Sequence, residues 1–212
     1  MPATISETAG VAQTAPRAGA SGVTCTGLPR AHVIPAAETV GVEQTVVGTP
    51  IGGVGVNVSD GAVVGVSFDS APMAVVPTVP PRQPMVAGSA ALVEAVRQLL
   101  DYFAGERTGF DLPVAIRRGS EFERAVWAQI AAIPYGETLS YGAIARAVGE
   151  PGGAQAVGLA CNRNPVPIVV PCHRVIGSDG KLVGFGGGMA RKRWLLSLEA
   201  RIHIEQTFGA GW

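Results

Sequence analysis

Ser140-Tyr141-Gly142-Ala143-Ile144-Ala145-Arg146-Ala147-Val148, then Gly149-Glu150-Pro151-Gly152, then Gly153-Ala154-Gln155-Ala156-Val157-Gly158-Leu159-Ala160-Cys161, is the stretch on which the fold turns. Ser140 can cap a helix whose Tyr141, Ile144, Ala145 and Val148 share one face. The Gly/Pro tetrapeptide breaks the chain before a second short helix over about 153–161. Short helix, tight turn and short helix are the outline of a helix-turn-helix. Just upstream, Ser120-Glu121-Phe122-Glu123 has capping-box spacing, and Phe122, Val126 and Ile130 form a helical stripe that stops before Pro134.

Working towards the N-terminus, the composition changes near Asp111-Leu112-Pro113, which predicts a domain boundary. Before it, Ser89 can cap a helix with Leu92, Val93, Val96, Leu99, Leu100 and Phe103 on one face and Gly105 at its end. Five prolines between Pro72 and Pro84 forbid regular structure and predict a connecting loop. Val54, Val56 and Val58 alternate, as do Val64, Val66 and Phe68, with Ser59-Asp60-Gly61 between them, so a β-hairpin with a primed turn is expected in a fold that starts near Gln44. Residues 1–42 are mostly small and polar and read as a flexible tail; the expected units are 43–112, 113–205 and a short tail at 206–212.

Composition narrows the class. The chain has 212 residues, 47% of them hydrophobic, enough for a buried core, and too few charges (15%) for a charged disordered polymer. No apolar run reaches the roughly 20 residues of a membrane span, and the N-terminus has neither a basic region nor an apolar one, so no signal peptide is expected. The formal net charge is zero, but residues 117–193 carry ten basic and five acidic side chains, a basic half that either meets a polyanion or is merely solvated. Cys25, Cys161 and Cys172 cannot all pair within one chain and predict reduced thiols in the cytoplasm.

The sharpest chemistry lies in Asn164-Pro165-Val166-Pro167-Ile168-Val169-Val170-Pro171-Cys172-His173-Arg174-Val175. An apolar run, read here as extended, delivers a cysteine beside a histidine and an arginine. A free thiol titrates near 8.5, so a nucleophilic cysteine needs a base or a cation. Neighbours on an extended chain point apart, and on spacing alone Cys172 is more often a small buried hydrophobe.

That segment, with Gly184-Phe185-Gly186-Gly187-Gly188 after it, Tyr135-Gly136-Glu137-Thr138-Leu139-Ser140-Tyr141 before it and Trp194-Leu195-Leu196-Ser197-Leu198-Glu199 beyond, resembles the O6-alkylguanine-DNA alkyltransferase family. Thr49-Pro50-Ile51-Gly52 is more loosely similar to the start of that family's N-terminal domain. The resemblance implies an α+β fold, with a small ribonuclease H-like sheet-and-helix domain followed by a winged-helix-like domain holding the helix-turn-helix. It implies repair of duplex DNA containing O6-alkylguanine: the alkylated base is flipped out through the minor groove and its alkyl group moves irreversibly to a cysteine.

In that scheme Cys172 is the acceptor, His173 its base through a water, and Glu199 the carboxylate that orients the imidazole. Without the resemblance, Glu199 reads as a helix-surface residue. Tyr141 resembles the phenol that assists departure of guanine, and Asn164 the brace between helix-turn-helix and cysteine segment. Val175, Gly186 and Gly187 would line the base pocket, with Arg163 and Arg174 contacting DNA. A minor groove is about 6 Å wide against 10–12 Å for a helix, so the small Ala154, Ala156 and Gly158 suit either groove entry or close helix packing.

One residue departs from the family pattern. Gln155 stands where an intercalating arginine is usual, and glutamine is shorter and uncharged, so weaker base flipping is expected. Cys161 is expected to serve packing and not as a second acceptor. Cys25 and His32 do not complete a zinc site, so no metal and no cofactor are expected, and the protein is expected to act as a cytoplasmic, nucleoid-associated monomer. Two other readings stay open: a module that recognises alkylated DNA without repairing it, and a relative acting on a small-molecule alkyl donor.

Overall fold

The computed structural model describes residues 41–69 and 87–209. The expected flexible tail up to about residue 40, with its Cys25 and His32, and the proline-rich connection lie outside the described residues. Strands β1 (Glu43–Thr49), β2 (Gly52–Ser59) and β3 (Ala62–Phe68) form an antiparallel meander in that order. Asp60 and Gly61 carry the turn with φ of +53° and +75°, the pair of positive angles that a primed hairpin turn requires.

The expected alternation fails at one place. Asn57 pairs with Gly65 but Val58 pairs with Val63, so Val64 is an extra residue on β3. This bulge reverses the parity of the strand. The inner face therefore carries Val63, Val66 and Phe68, and Val64 leaves it.

Helix α1 (Ala90–Ala104) lies against the sheet, capped by Ser89 at one end and Gly105 at the other, as its sequence predicts. Leu92, Val96, Leu99, Leu100 and Phe103 are buried, whereas Val93 is 41% exposed and lies off the packed face. Helix α2 (Glu121–Ala131) has the full capping box at Ser120 and Glu123. Its anchor is Trp127, which the hydrophobic stripe did not include. The indole Nε1 donates to Ala160 O at 2.8 Å, fastening α2 to the second helix of the helix-turn-helix.

That motif is α3 (Tyr141–Ala147) and α4 (Ala154–Asn162). The two-residue strand β4 (Leu139–Ser140) leads into it and pairs in parallel with β5 (Val175–Ile176), which directly follows the Cys172–Arg174 turn. Helix α5 (Met189–Phe208) closes the chain and extends beyond residue 205, where the sequence predicted a tail.

The molecule is thus α+β, with one small antiparallel sheet and five helices among the described residues. The compositional break at residues 111–113 does not interrupt packing. Val63 N donates to Pro113 O and Ala115 N to Val63 O, and buried apolar residues from both halves form one cluster. The open edge of β3 is further used by Val66 N, which donates to Pro165 O at 2.9 Å and fixes the cysteine segment to the sheet.

Replacing Trp127 with Phe keeps most of the apolar volume but leaves the Ala160 carbonyl with only the longer 3.2 Å bond from Arg163 N. We expect a loss of ~0.5–1.5 kcal/mol in stability, read as a lower urea midpoint with an unchanged slope.

Candidate active site

The segment from Asn164 to Pro171 is not the extended run expected from its apolar residues. Asn164 closes it into a loop: its Nδ2 donates to Val170 O at 2.7 Å and its Oδ1 accepts from Val166 N at 3.1 Å. Ile168 sits at φ +75°, an unusual angle for a β-branched residue. Prolines at 165, 167 and 171 withhold backbone donors, so a regular ladder cannot form here. The loop delivers Cys172, His173 and Arg174 on a single 3₁₀ turn.

All three side chains are buried. Burial pushes the Cys172 thiol up to about 11, against the hydrogen bond from Asn164 and the positive charge of Lys192. Burial also lowers the His173 imidazole, outweighing the pull of Glu199 in the other direction. His173 Nε2 lies 2.8 Å from Glu199 Oε1. Burial alone would raise the Glu199 carboxyl, but His173 and Arg174 outweigh it and hold the group at about 2. An ionised carboxylate can only accept, so Nε2 carries the proton and Nδ1 keeps a lone pair. That Nδ1 is buried with no hydrogen-bond partner.

Glu199, 1% exposed, is no surface residue. Its carboxylate accepts from Tyr102 Oη at 2.6 Å, Arg174 Nη2 at 2.9 Å, Arg174 Nε at 2.8 Å and Gly136 N at 3.2 Å. Arg174, expected to contact DNA, is instead turned inwards onto Glu199 and Ile133 O, with its guanidinium over the Tyr135 ring. The buried carboxylate attracts the nearest cation more strongly than solvent does.

A cavity of about 160 Å³ opens beside the thiol. Cys172, Asn164, Gly186 and Gly187 line it, together with Cys161, Phe185 and, from β3, Val66 and Phe68. A Cβ on Gly187 would come within 2.6 Å of the Phe68 ring, so a side chain at 187 would push the loop off the sheet. Arg191 holds the same loop, donating to Gly187 O, Ile51 O and Asp69 Oδ1.

Tyr141 Oη donates to Val183 O at 2.8 Å, and burial raises the phenol to about 12. Val175 is buried, its carbonyl 2.6 Å from Lys192 Nζ. On α4, Gln155 and Ala156 are exposed and Ala154 and Gly158 half-buried; Arg163 is exposed but paired with Glu123 on α2.

Sequence reasoning missed Tyr102, Lys192 and Phe68. Lys192 also bonds Val183 O and Gly184 O, so it clamps the loop between β5 and α5. A signal for it existed: Lys192, Leu195, Glu199 and Ile202 share the buried face of α5, a helical stripe with two charges at core positions. The basic excess also shrinks. Arg174, Arg191 and Lys192 are internal, which leaves seven exposed cations against five acids in residues 117–193. Among the described residues no cluster of three or more His, Cys, Asp or Glu could hold a metal ion.

A buried thiol at a cavity, the adjacent imidazole with one free lone pair and the carboxylate that holds that imidazole are thus mounted next to a helix-turn-helix. Residues 121–201 match the model of the 6-O-methylguanine DNA methyltransferase DNA-binding domain. The methylated-DNA–protein-cysteine methyltransferase of Mycolicibacterium paratuberculosis is 60% identical over 111 residues, 52% of this chain and 67% of that protein. Its namesake from Methanosarcina acetivorans is 55% identical over 106 residues, 50% of this chain and 67% of that protein. The structure of Mycobacterium tuberculosis OGT in complex with DNA superposes with a TM-score of 0.65 at 42% identity, covering 75% of this chain and 93% of that one. The chain belongs to the methylated-DNA–protein-cysteine methyltransferase family.

The buried ionisations predict acid lability. His173 and Glu199 both have folded values below their ordinary ones of 6.5 and 4.5. The unfolded chain therefore binds protons first, and their contribution is present at neutral pH and lost as pH falls from about 6.5 towards 2. Denaturant midpoints should drop steadily across that range. Glu199→Gln should cost ~3–5 kcal/mol at pH 7 by stranding the Arg174 charge, and should flatten the acid limb.

Proposed function

We propose that this protein repairs duplex DNA by moving an alkyl group, methyl foremost, from guanine O6 to Cys172, once per molecule. The observation that carries this reading is the buried Cys172 at a cavity, next to a His173 whose Nε2 is pinned by Glu199 and whose Nδ1 is free. At neutral pH a thiol near 11 is ionised in only about one molecule in ten thousand. The thiol proton must therefore pass to His173 Nδ1, directly or through a water, as sulfur attacks the alkyl carbon. The S–C bond forms, the C–O6 bond breaks, and Glu199 stabilises the imidazolium. Tyr141, still protonated at neutral pH, exchanges Val183 O for the guanine ring and gives it a proton as the C–O6 bond breaks; the phenol is restored from solvent, to which His173 releases the proton taken from the thiol. Asn164 holds the loop in place, and the Val175, Gly186 and Gly187 backbone receives the flat base.

The helix-turn-helix half, read as winged-helix-like beside a ribonuclease H-like sheet half, would present α4 to the minor groove. Ala154, Ala156 and Gly158 keep that face shallow, and Arg163 lies at its end to meet a phosphate. Gln155 would fill the space of the flipped base poorly. With few net surface charges, binding rests on groove fit more than on a basic field.

Peptide mass spectrometry after incubation with duplex O6-methylguanine should find one methyl on Cys172, absent in Cys172→Ser. DNA binding with no methyl on the thiol would favour recognition without repair, and neither would favour a small-molecule donor. Because His173 takes the proton during attack, the single-turnover rate should be flat between pH about 6.5 and 9; a rise of about tenfold per pH unit would mean attack by free thiolate. Gln155→Arg should raise that rate several-fold on duplex DNA and leave transfer from the free base O6-benzylguanine unchanged. No increase on duplex DNA would show that Gln155 does not limit flipping.

A further inference from the structure

Cys161 is buried, as expected, but its surroundings are not simple packing. It stands at the last turn of α4 and lines the same cavity of about 160 Å³ as Cys172. Burial first and then Cys172 push the Cys161 thiol up, while Lys192 draws both thiols down. Asn164, three residues beyond Cys161, lines the same cavity and donates to Val170 O, two residues before Cys172, so the helix end and the 3₁₀ turn meet around this space. An alkyl group arriving on Cys172 through the cavity therefore enters a space with a second sulfur in its wall.

We propose that Cys161 captures the far carbon of two-carbon bifunctional adducts, 2-haloethyl groups on guanine O6, and ties them into a thioether bridge with Cys172. The proposal rests on the alkyl-transfer reading above. In the first step Cys172 Sγ bonds to the near carbon and the bond to O6 breaks. The thioether sulfur then displaces halide from the far carbon, giving a three-membered episulfonium ring. Cys161 Sγ attacks that ring: a second S–C bond forms, one ring C–S bond breaks, and the thiol proton leaves to solvent. The products are guanine, halide, a proton and a –CH₂CH₂– bridge between the two sulfurs, with no oxidant or reductant consumed.

A methyl group offers no second electrophilic carbon, so this chemistry is silent with simple methyl damage. The episulfonium compensates for the poor ionisation of the Cys161 thiol, which burial and Cys172 push up to about 12, because it is a strong electrophile formed in the cavity that both thiols line. Well-oriented intramolecular groups reach effective molarities of ~10⁵–10⁸ M, which outcompetes water and the DNA bases held at the mouth.

The test uses the full chain with two duplexes in parallel, one carrying O6-methylguanine and one carrying freshly prepared O6-(2-chloroethyl)guanine. Peptide mass spectrometry should find methyl on Cys172 from the first. From the second it should find the Cys161–Cys172 bridge as the main fate of the transferred group. In Cys161→Ser the bridge should vanish, with the group ending as a hydroxyethyl thioether on Cys172 or a cross-link to DNA. The readout is a partition among transferred groups, so a slower variant does not alter it. Methyl transfer by the wild-type chain, together with hydroxyethyl or DNA-cross-linked products in place of the bridge, would overturn this proposal alone. Failure of methyl transfer as well would overturn both readings.

Discussion

A carboxylate with five donors around it, Glu199 on α5, is the constraint on which the rest of this structure depends. An ion that deep is costly unless it is fully satisfied, and satisfying it draws in parts of the chain far apart in sequence. His173 and Arg174 come from the cysteine turn, Gly136 from the turn before the helix-turn-helix, and Tyr102 from the helix on the sheet. The requirement that no donor be lost ties the positions of these elements to one another. The same requirement fixes the imidazole's tautomer. Stability and chemical readiness here are two consequences of one ion.

Elements with local signals were legible in the sequence. Caps at Ser89, Ser120 and Ser140, the Asp60-Gly61 turn and the spacing of α1 to α4 depend on neighbours within a few residues, and the structure has them where those residues stand. Reading failed where tertiary contact outweighs local pattern. One extra residue at Val64 flips a strand's face, a choice made by the pairing of β2 and not by β3 itself. The 164–171 run looks extended because it is apolar, yet the side chain of Asn164 folds it into a loop. Arg174 looked like a surface cation because nothing nearby in sequence revealed the anion 25 residues on. Tyr102 lies 97 residues from the carboxylate it touches, beyond any spacing rule.

The sheet half contributes more than a scaffold. Val66 and Phe68 of β3 form part of the wall of the thiol's cavity, and the β3 edge bonds the loop that carries Cys172. Phe68 stands 5.6 Å from Phe185 across that wall, between ring centroids, and under the guanidinium of Arg191. Arg191 in turn binds carbonyls from both halves and the carboxylate of Asp69. The thiol's cavity is therefore walled from both sides of the compositional boundary at residues 111–113.

Burial also explains how Cys172, as the proposed nucleophile, can wait without reacting. Both the thiol and the imidazole are neutral at rest, because the interior disfavours the thiolate and the imidazolium taken singly. Formed together the two charges offset one another, and the imidazolium faces a carboxylate already in place. The active ion pair is thus accessible when an electrophilic carbon consumes the thiolate as it forms, and scarce otherwise. Adventitious oxidants, which attack thiolates, meet a protonated sulfur in a narrow cavity. In the proposed transfer the arrangement also accounts for a single use. Once sulfur carries an alkyl group it has no proton to give His173, and a thioether carbon bonded to a thiolate leaving group of pKa near 11 is not displaced by the weak nucleophiles within reach. What protects the acceptor before reaction is the same desolvation that makes the reaction final.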